Sequence, residues 1–233
     1  MTKKKIGMIP GTGKQSQGIA LRLAQAGYKV MIGSRSSEKA KTIAEDLNAK
    51  LSVNSFYGDE NKEVVKQCDI LFFVVPPEYI CSTLEDLGSE IKTDAIIVDV
   101  IVPLTFEAGL AYCSEDMCME QFDYPSVSEY IQATVPEGVT VVGAFKTISA
   151  AKLNRLNHPL DVDVFLTSNS QEKKNELKEI ISKIEGLRVL DAGPLAFSRT
   201  TEQMTAFVIN INKLNKLKHA SFRVISAGSK KQN

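Results

Sequence analysis

The stretch from Lys4 to Arg35, KKIGMIPGTGKQSQGIALRLAQAGYKVMIGSR, constrains the fold of this chain more than any other. An apolar run stops at Pro10 and gives way to Gly11-Thr12-Gly13. An Ala- and Leu-rich pattern follows, with Ile19, Leu23 and Ala26 on one face, and a second apolar run then ends in Ser34-Arg35. The order predicts strand, tight turn, helix and strand. In a βαβ unit of this length the glycines bring the backbone close to a pyrophosphate, whose charge meets unpaired N–H groups at the helix N-terminus.

Two details refine that reading. The fingerprint G-x-G-x-x-G is met at Gly11 and Gly13, but its third position is Ser16, with Gly18 two residues later; serine is small enough for close helix packing. At the end of the second strand an NAD site places Asp or Glu against the ribose hydroxyls. Here stand Ser34, Arg35 and Ser36, with Lys39 a turn further. No carboxylate in that stretch repels a 2′-phosphate, and a guanidinium can hold one through paired hydrogen bonds, so the cofactor is read as NADP.

The rest of the chain alternates strand and helix patterns. Helices are expected over 14–26, 37–47 and 60–67, and a short strand at 51–53. The run DILFFVV at 69–75 has the continuous apolar character of a parallel strand covered on both faces. Its carboxyl end should face the cofactor crevice, where Pro76, Pro77 and Tyr79 can wall the nicotinamide half; Pro77 equally suits the first position of a helix. A strand is expected over 95–100. Between 105 and 136 the signal fades: Glu115, Asp116, Glu120 and Asp123 read as a solvated face, and only 125–133 looks helical.

A strand over 139–145 should close the parallel sheet. Beyond it come a helix near 150–156, a strand at 162–167 and a helix over 171–184 capped by Ser170. A strand at 188–191, the turn Ala192-Gly193-Pro194 and an amphipathic helix over 198–218 complete the chain. The fold class is therefore α/β: a doubly wound parallel sheet over 1–146 followed by a smaller C-terminal α/β domain over 147–233.

Charge and cysteine usage exclude several classes. With 28 basic and 28 acidic residues the 233-residue chain is formally neutral, which leaves no electrostatic footprint for nucleic acid or an anionic membrane. The apolar run behind Lys3, Lys4 and Lys5 is cut too soon for a signal peptide, and no segment approaches membrane-spanning length. Cys68, Cys81, Cys113 and Cys118 lack zinc-type pairing, and His158 and His219 are the only histidines. No metal site is expected, and reduced thiols in a cytoplasmic protein are.

At this point the residues carry a family resemblance. Gly11-Thr12-Gly13, Gly33-Ser34-Arg35, the block VGAFKTISAA at 142–151, the block GLRVLDAGPL at 186–195, Ser198-Arg199 and the Asn210-Ile-Asn-Lys213 run resemble the NADPH-dependent F420 reductases. The similarity spans nearly the whole chain. It implies a Rossmann-type fold and hydride transfer between NADP(H) and the deazaflavin coenzyme F420. It also implies NADP contacts at Gly11, Thr12, Gly13, Ser34, Arg35 and Lys39, and Pro76 and Ala150 close to the nicotinamide. Lys146, Thr147 and Ile148, with the Gly193-Pro194-Leu195 turn, would line the deazaflavin pocket. The chain departs from the family at Ser16, at Lys146, where histidine is common, and at Ser149, where some members have proline.

Direct hydride transfer asks little of side chains beyond holding two rings face to face. Lys146 is the candidate catalytic residue, a cation placed to stabilise charge developing on the deazaflavin; the competing reading is a lysine snorkelling from a strand end into solvent. Two other functions fit the same cofactor domain: a reductase of a small carbonyl or imine with Lys146 as general acid, and a non-catalytic sensor of NADPH. Met204, Phe207, Val208, Ile211 and Leu214 give the last helix more apolar face than a small domain needs, so a homodimer is expected.

Overall fold

The computed structural model describes residues 4–114 and 124–228. Its centre is a six-stranded, wholly parallel sheet of β1 (Ile6–Ile9), β2 (Val30–Ser34), β3 (Phe56–Glu60), β4 (Ile70–Phe73), β5 (Ile96–Asp99) and β8 (Thr140–Gly143), in the order β3-β2-β1-β4-β5-β8. Every residue of β1, β4 and β5 is buried, as a sheet covered on both faces requires. The order reverses beside β1, and it is outside the carboxyl ends at such a switch point that ligands bind.

Helices α1 (Lys14–Gln25), α2 (Ser37–Leu51), α3 (Asn61–Gln67), α4 (Ile80–Leu87) and α5 (Val127–Thr134) return the chain between these strands. Two apolar clusters result. One packs Leu21, Leu23, Ile32 and Phe72 on one face, and the other packs Val64, Phe73, Ile97 and Ile131 on the opposite face.

The third strand differs from the sequence expectation. Helix α2 continues to Leu51 and ends only where Ser52 turns left-handed at φ 55°, so β3 begins at Phe56 rather than at 51. Asn48 fixes the new start: its amide donates to the Phe56 carbonyl, and its side-chain oxygen accepts from the Ser55 and Phe56 N–H groups. A second departure is a hairpin of β6 (Leu104–Glu107) and β7 (Leu110–Cys113) where no strand was expected. Its two-residue turn, Ala108-Gly109, has positive φ at both positions (47° and 78°), the requirement of a type I′ turn.

Beyond β8 the chain forms α6 (Ala150–Leu153), β9 (Val162–Leu166), α7 (Gln171–Ile181), β10 (Leu187–Asp191) and α8 (Ser198–Leu214). β9 and β10 make a separate two-stranded parallel sheet. One antiparallel bridge, Gly143 to Thr167, joins it to the edge of the main sheet. Val162, Val164, Leu177 and Val189 pack in the same cluster as Met8, Leu23 and Phe72, so the two sheets share a core.

Cys68 and Cys113 are free, but Cys81 is disulfide-bonded, which corrects the expectation of reduced thiols throughout. Cys118 and the acidic residues between 115 and 123 lie outside the described residues. No helix among the described residues is long and apolar enough to cross a membrane.

Candidate active site

The first part of the site is built at the end of β1. The Gly11 N–H donates to the Gly33 carbonyl at 2.8 Å, and a Cβ on Gly11 would lie 2.6 Å from Ile32, so this glycine is required by the close approach of two strands. Gly13 answers to a different demand. Its backbone is extended (φ −81°, ψ 159°), and a Cβ there would meet nothing nearer than Ser16 Oγ at 3.9 Å. Neither backbone conformation nor packing asks for glycine. The residue is exposed at the head of α1, whose N-terminus has no side-chain cap. Bare N–H groups with room above them fit a phosphate.

The Ser16 departure also has a structural cause. The Ser16 hydroxyl donates to the Pro10 carbonyl at 2.6 Å and ties the turn from beneath. Close packing of α1 falls instead to Gly18, where a Cβ would come within 2.6 Å of the Leu153 side chain and 2.8 Å of Asn154.

At the end of β2, Ser34 is buried, with its hydroxyl accepting from the Ser36 N–H. Arg35 and Lys39 are exposed, and neither forms an ion pair among the described residues. The sequence reading missed two carboxylates here, because β3 begins later than expected: Asp59 pairs in register with Gly33, and Glu60 with Ser34. Half-buried Asp59 accepts from the Ser37 hydroxyl and the Glu60 N–H. Pro76 is exposed beyond β4, and Pro77 opens a 3₁₀ turn at Pro77–Tyr79.

The segment after β8 is clamped against this cradle. Gln15 Nε2 donates to the Ile148 carbonyl at 3.0 Å, and Asn154 Nδ2 donates to the Lys14 carbonyl at 2.9 Å. Buried Arg22 donates to the carbonyls of Leu153, Arg155 and His158. Residues 133 positions apart thus meet at the first turn of α1, and half-buried Ala150 opens α6 beside it. Phe145 holds the left-handed conformation (φ 58°) that reverses the chain, an uncommon state for a large side chain.

Lys146 neither snorkels outward nor reaches an open cleft. Its side chain is 2% exposed, and Nζ lies 2.6 Å from Asp99 Oδ2, 2.6 Å from the Ile101 carbonyl and 3.3 Å from Glu202 Oε1. All three hydrogens of the ammonium are engaged. This burial rules out the solvent-directed lysine, and the contacts of the ammonium lie within the chain, with Asp99, Ile101 and Glu202. Burial alone would lower its pKa, but the neighbouring carboxyl groups, Asp99 foremost, outweigh that and raise it. Thr147 and Ile148 are buried as well.

Glu202, on α8, was singled out by nothing in the sequence, since an acid in an amphipathic helix usually faces water. Its carboxyl is 0% exposed. Burial pushes its pKa up to about 7 against the opposing pull of Lys146.

The Gly193-Pro194-Leu195 turn stands at the carboxyl ends of β9 and β10. Gly193 has φ 95°, its N–H donates to Asp191 Oδ1, and its carbonyl accepts from Ser168 N and Lys174 Nζ. The Leu195 N–H donates to Asn169. No hydrogen bond among the described residues joins this turn to residues 146–148. They are linked through α8, where Thr205 donates to the Lys146 carbonyl at 2.8 Å. A hollow of about 410 Å³ beside Lys5, Lys29 and Tyr57 lies at the amino ends of β1 and β2, remote from this constellation. No group of three potential metal-ligating side chains occurs among the described residues.

Known proteins resemble this chain along nearly its whole length. Residues 5–103 match the family described as NADP oxidoreductase coenzyme F420-dependent. The chain is 34% identical over 226 residues to the F420-dependent NADP reductase of Methanocaldococcus jannaschii, covering 94% of this chain and 97% of that protein. It is 31% identical over 222 residues to the F420-dependent NADP reductase of Methanothermobacter marburgensis, with 94% and 97% covered. A solved Arthrobacter sp. FB24 structure, provisionally assigned as an F420-dependent NADP reductase, superposes with a TM-score of 0.76 at 21% identity, covering 96% of this chain and all of that one.

Proposed function

This chain belongs to the F420-dependent NADP reductase family, and from that premise we propose that it transfers a hydride directly between NADP(H) and the deazaflavin coenzyme F420. The observation that carries the reading is Gly13, a glycine that neither conformation nor packing requires, exposed at an uncapped helix N-terminus. It fits a dinucleotide pyrophosphate. When bound, the nicotinamide supplies the carbon that gives or takes the hydride.

The residues divide the work of holding and orienting. Thr12 and Gly13 receive the pyrophosphate, with Gly11 shaping the turn that presents them, and Ser34, Arg35 and Lys39 receive the 2′-phosphate. Pro76 and Ala150 flank the nicotinamide. The 146–148 segment and the Gly193-Pro194-Leu195 turn back the deazaflavin pocket, with Lys146 a positioning residue that seats the segment rather than a donor to the substrate. The division at 146/147 then separates a cofactor-binding part from one that completes the pocket. Orientation of two rings at close approach supplies most of the rate, without a side-chain acid or a metal.

Purified protein mixed with NADPH and oxidised deazaflavin should consume nicotinamide absorbance in proportion to the deazaflavin reduced. Absorbance loss with a cyclic imine and none with the deazaflavin would overturn the reading.

The same reading extends to assembly and location. Phe207 (59% exposed) and Leu214 (69%) on α8 lie uncovered, as do Phe106 (61%) and Tyr112 on the hairpin packed against it. A second copy covering this face makes a homodimer, and light scattering at micromolar concentration should return twice the monomer mass. The cytoplasm, which holds soluble redox coenzymes, is the expected compartment.

A further inference from the structure

Three ionisable groups meet where β5, the turn after β8 and α8 converge, and their hydrogen bonds are unequally shared. Asp99 is well supplied: Oδ1 accepts from the Ile101 N–H at 2.8 Å, and Oδ2 accepts from Ser128 Oγ and Lys146 Nζ, each at 2.6 Å. Glu202 is poorly supplied. Its Oε1 accepts from the Val127 N–H at 3.1 Å and from Lys146 at 3.3 Å, while Oε2 is buried with no hydrogen-bond partner among the described residues.

The other groups facing Glu202 do not make up the deficit. Arg199, one helical turn earlier, stays 3.9 Å away and spends the same nitrogen on Cys113 Sγ and the Ser114 carbonyl. The Cys113 thiol is pushed up to about 11, chiefly by burial, so it remains neutral. Glu129 on α5 is turned to the Ser126 hydroxyl. Two ionised carboxylates would then share one hydrogen-bonded ammonium, with the Arg199 guanidinium no nearer than 3.9 Å and one anionic oxygen without a hydrogen-bond partner among the described residues. A neutral oxygen without a partner costs far less than an ionised one.

We propose that Glu202 works as a neutral carboxylic acid, and that its proton keeps Lys146, and with it the turn 145–148, seated behind the deazaflavin pocket. Asp99 and Lys146 then form a balanced ion pair, and Glu202 completes the cluster without adding charge. Loss of that proton sets a second anion beside Asp99 and draws Lys146 between two carboxylates. The turn is also held through its Lys146 carbonyl by Thr205 on the same helix, so strain at Glu202 reaches the pocket wall. Glu202 is a positioning residue in this account. The pocket itself rests on the proposed function, but the protonation does not.

Two measurements test the parts separately. Infrared titration of the full chain, wild type minus Glu202→Gln, should show the carbonyl band of a protonated carboxyl that persists at pH about 6 and vanishes with a midpoint about 7. A band already lost below pH about 5, or none at all, overturns the proposal. Equilibrium dialysis of the oxidised deazaflavin should then show affinity falling roughly tenfold as pH rises from about 6 to 8 in the wild type. It should stay level in Glu202→Gln, whose amide mimics the neutral acid. Equal slopes in the two proteins overturn the positioning role. A persistent band with no deazaflavin bound at any pH leaves the proton assigned and removes F420 as the substrate.

Discussion

Arg35 and Lys146 are both cations at strand ends, and their surroundings give them opposite uses. Arg35 is exposed and forms no ion pair among the described residues, so its interaction energy remains for a ligand. Replacing it with alanine should weaken NADP by one to two decades, the roughly 1.5–3 kcal/mol of a charge-assisted contact, and leave NAD nearly unchanged. Titration with both cofactors checks this. Lys146 has already given its hydrogens to Asp99, Ile101 and Glu202. Lys146→Met would fill the same space but leave Asp99 charged and buried. We expect roughly 3–5 kcal/mol of lost stability in urea unfolding, since removing one partner strands the other. Sequence could not separate these two lysine and arginine positions, because burial comes from α8, which folds back across the site from more than fifty residues away.

At the scale of elements, legibility followed periodicity. The unit β1-α1-β2 was readable because its pattern and turn chemistry are local. Strand β3 was misplaced because the side chain of Asn48 holds Ser55 and Phe56 in place across seven and eight residues, a contact with no periodic trace. The β6–β7 hairpin was missed because Ala108 occupies a left-handed turn position where Asn or Gly is the usual signal. Within the cofactor cradle the glycines were legible while their division of labour was not. Gly18, two residues past the fingerprint position, is where α1 meets α6. Gly18→Ala should force the two apart, costing roughly 1–3 kcal/mol by overpacking. It should raise the KM for NADPH more than that for the deazaflavin, because the head of α1 and Ala150 of α6 are both assigned to the dinucleotide, and steady-state kinetics can resolve the two.

For the whole molecule, pH acts through groups that pull in opposite directions. Asp163 is held below its ordinary range by hydrogen bonds from Arg188, so it contributes stability above its unfolded pKa of about 3.8 that is lost as pH falls further. Glu202 is shifted upward from 4.5 to about 7. Between those values the folded chain binds more protons than the unfolded one. Its contribution is complete below pH 4.5 and is lost as pH rises through about 7. Thermal unfolding should therefore show a melting temperature that declines between pH about 5 and 8 in the wild type and flattens in Glu202→Gln. An unchanged slope in the variant would assign the decline to other groups.

Helix α8 has one more consequence. Near its start Glu202 and Thr205 hold the turn at Lys146; further along, Asn210 exchanges both hydrogen bonds with the Ala111 backbone, and Lys213 bonds the Gly109 carbonyl. A helix advances about 1.5 Å per residue and is stiff over this length, so Glu202 and Asn210 stand about 12 Å apart as marks on a ruler. A slip of α8 by a single residue would carry Glu202 far enough to break its 3.1 Å bond to Val127. The surface hairpin and the wall behind the proposed pocket are therefore set to one common scale, and neither can be displaced along the helix without moving the other.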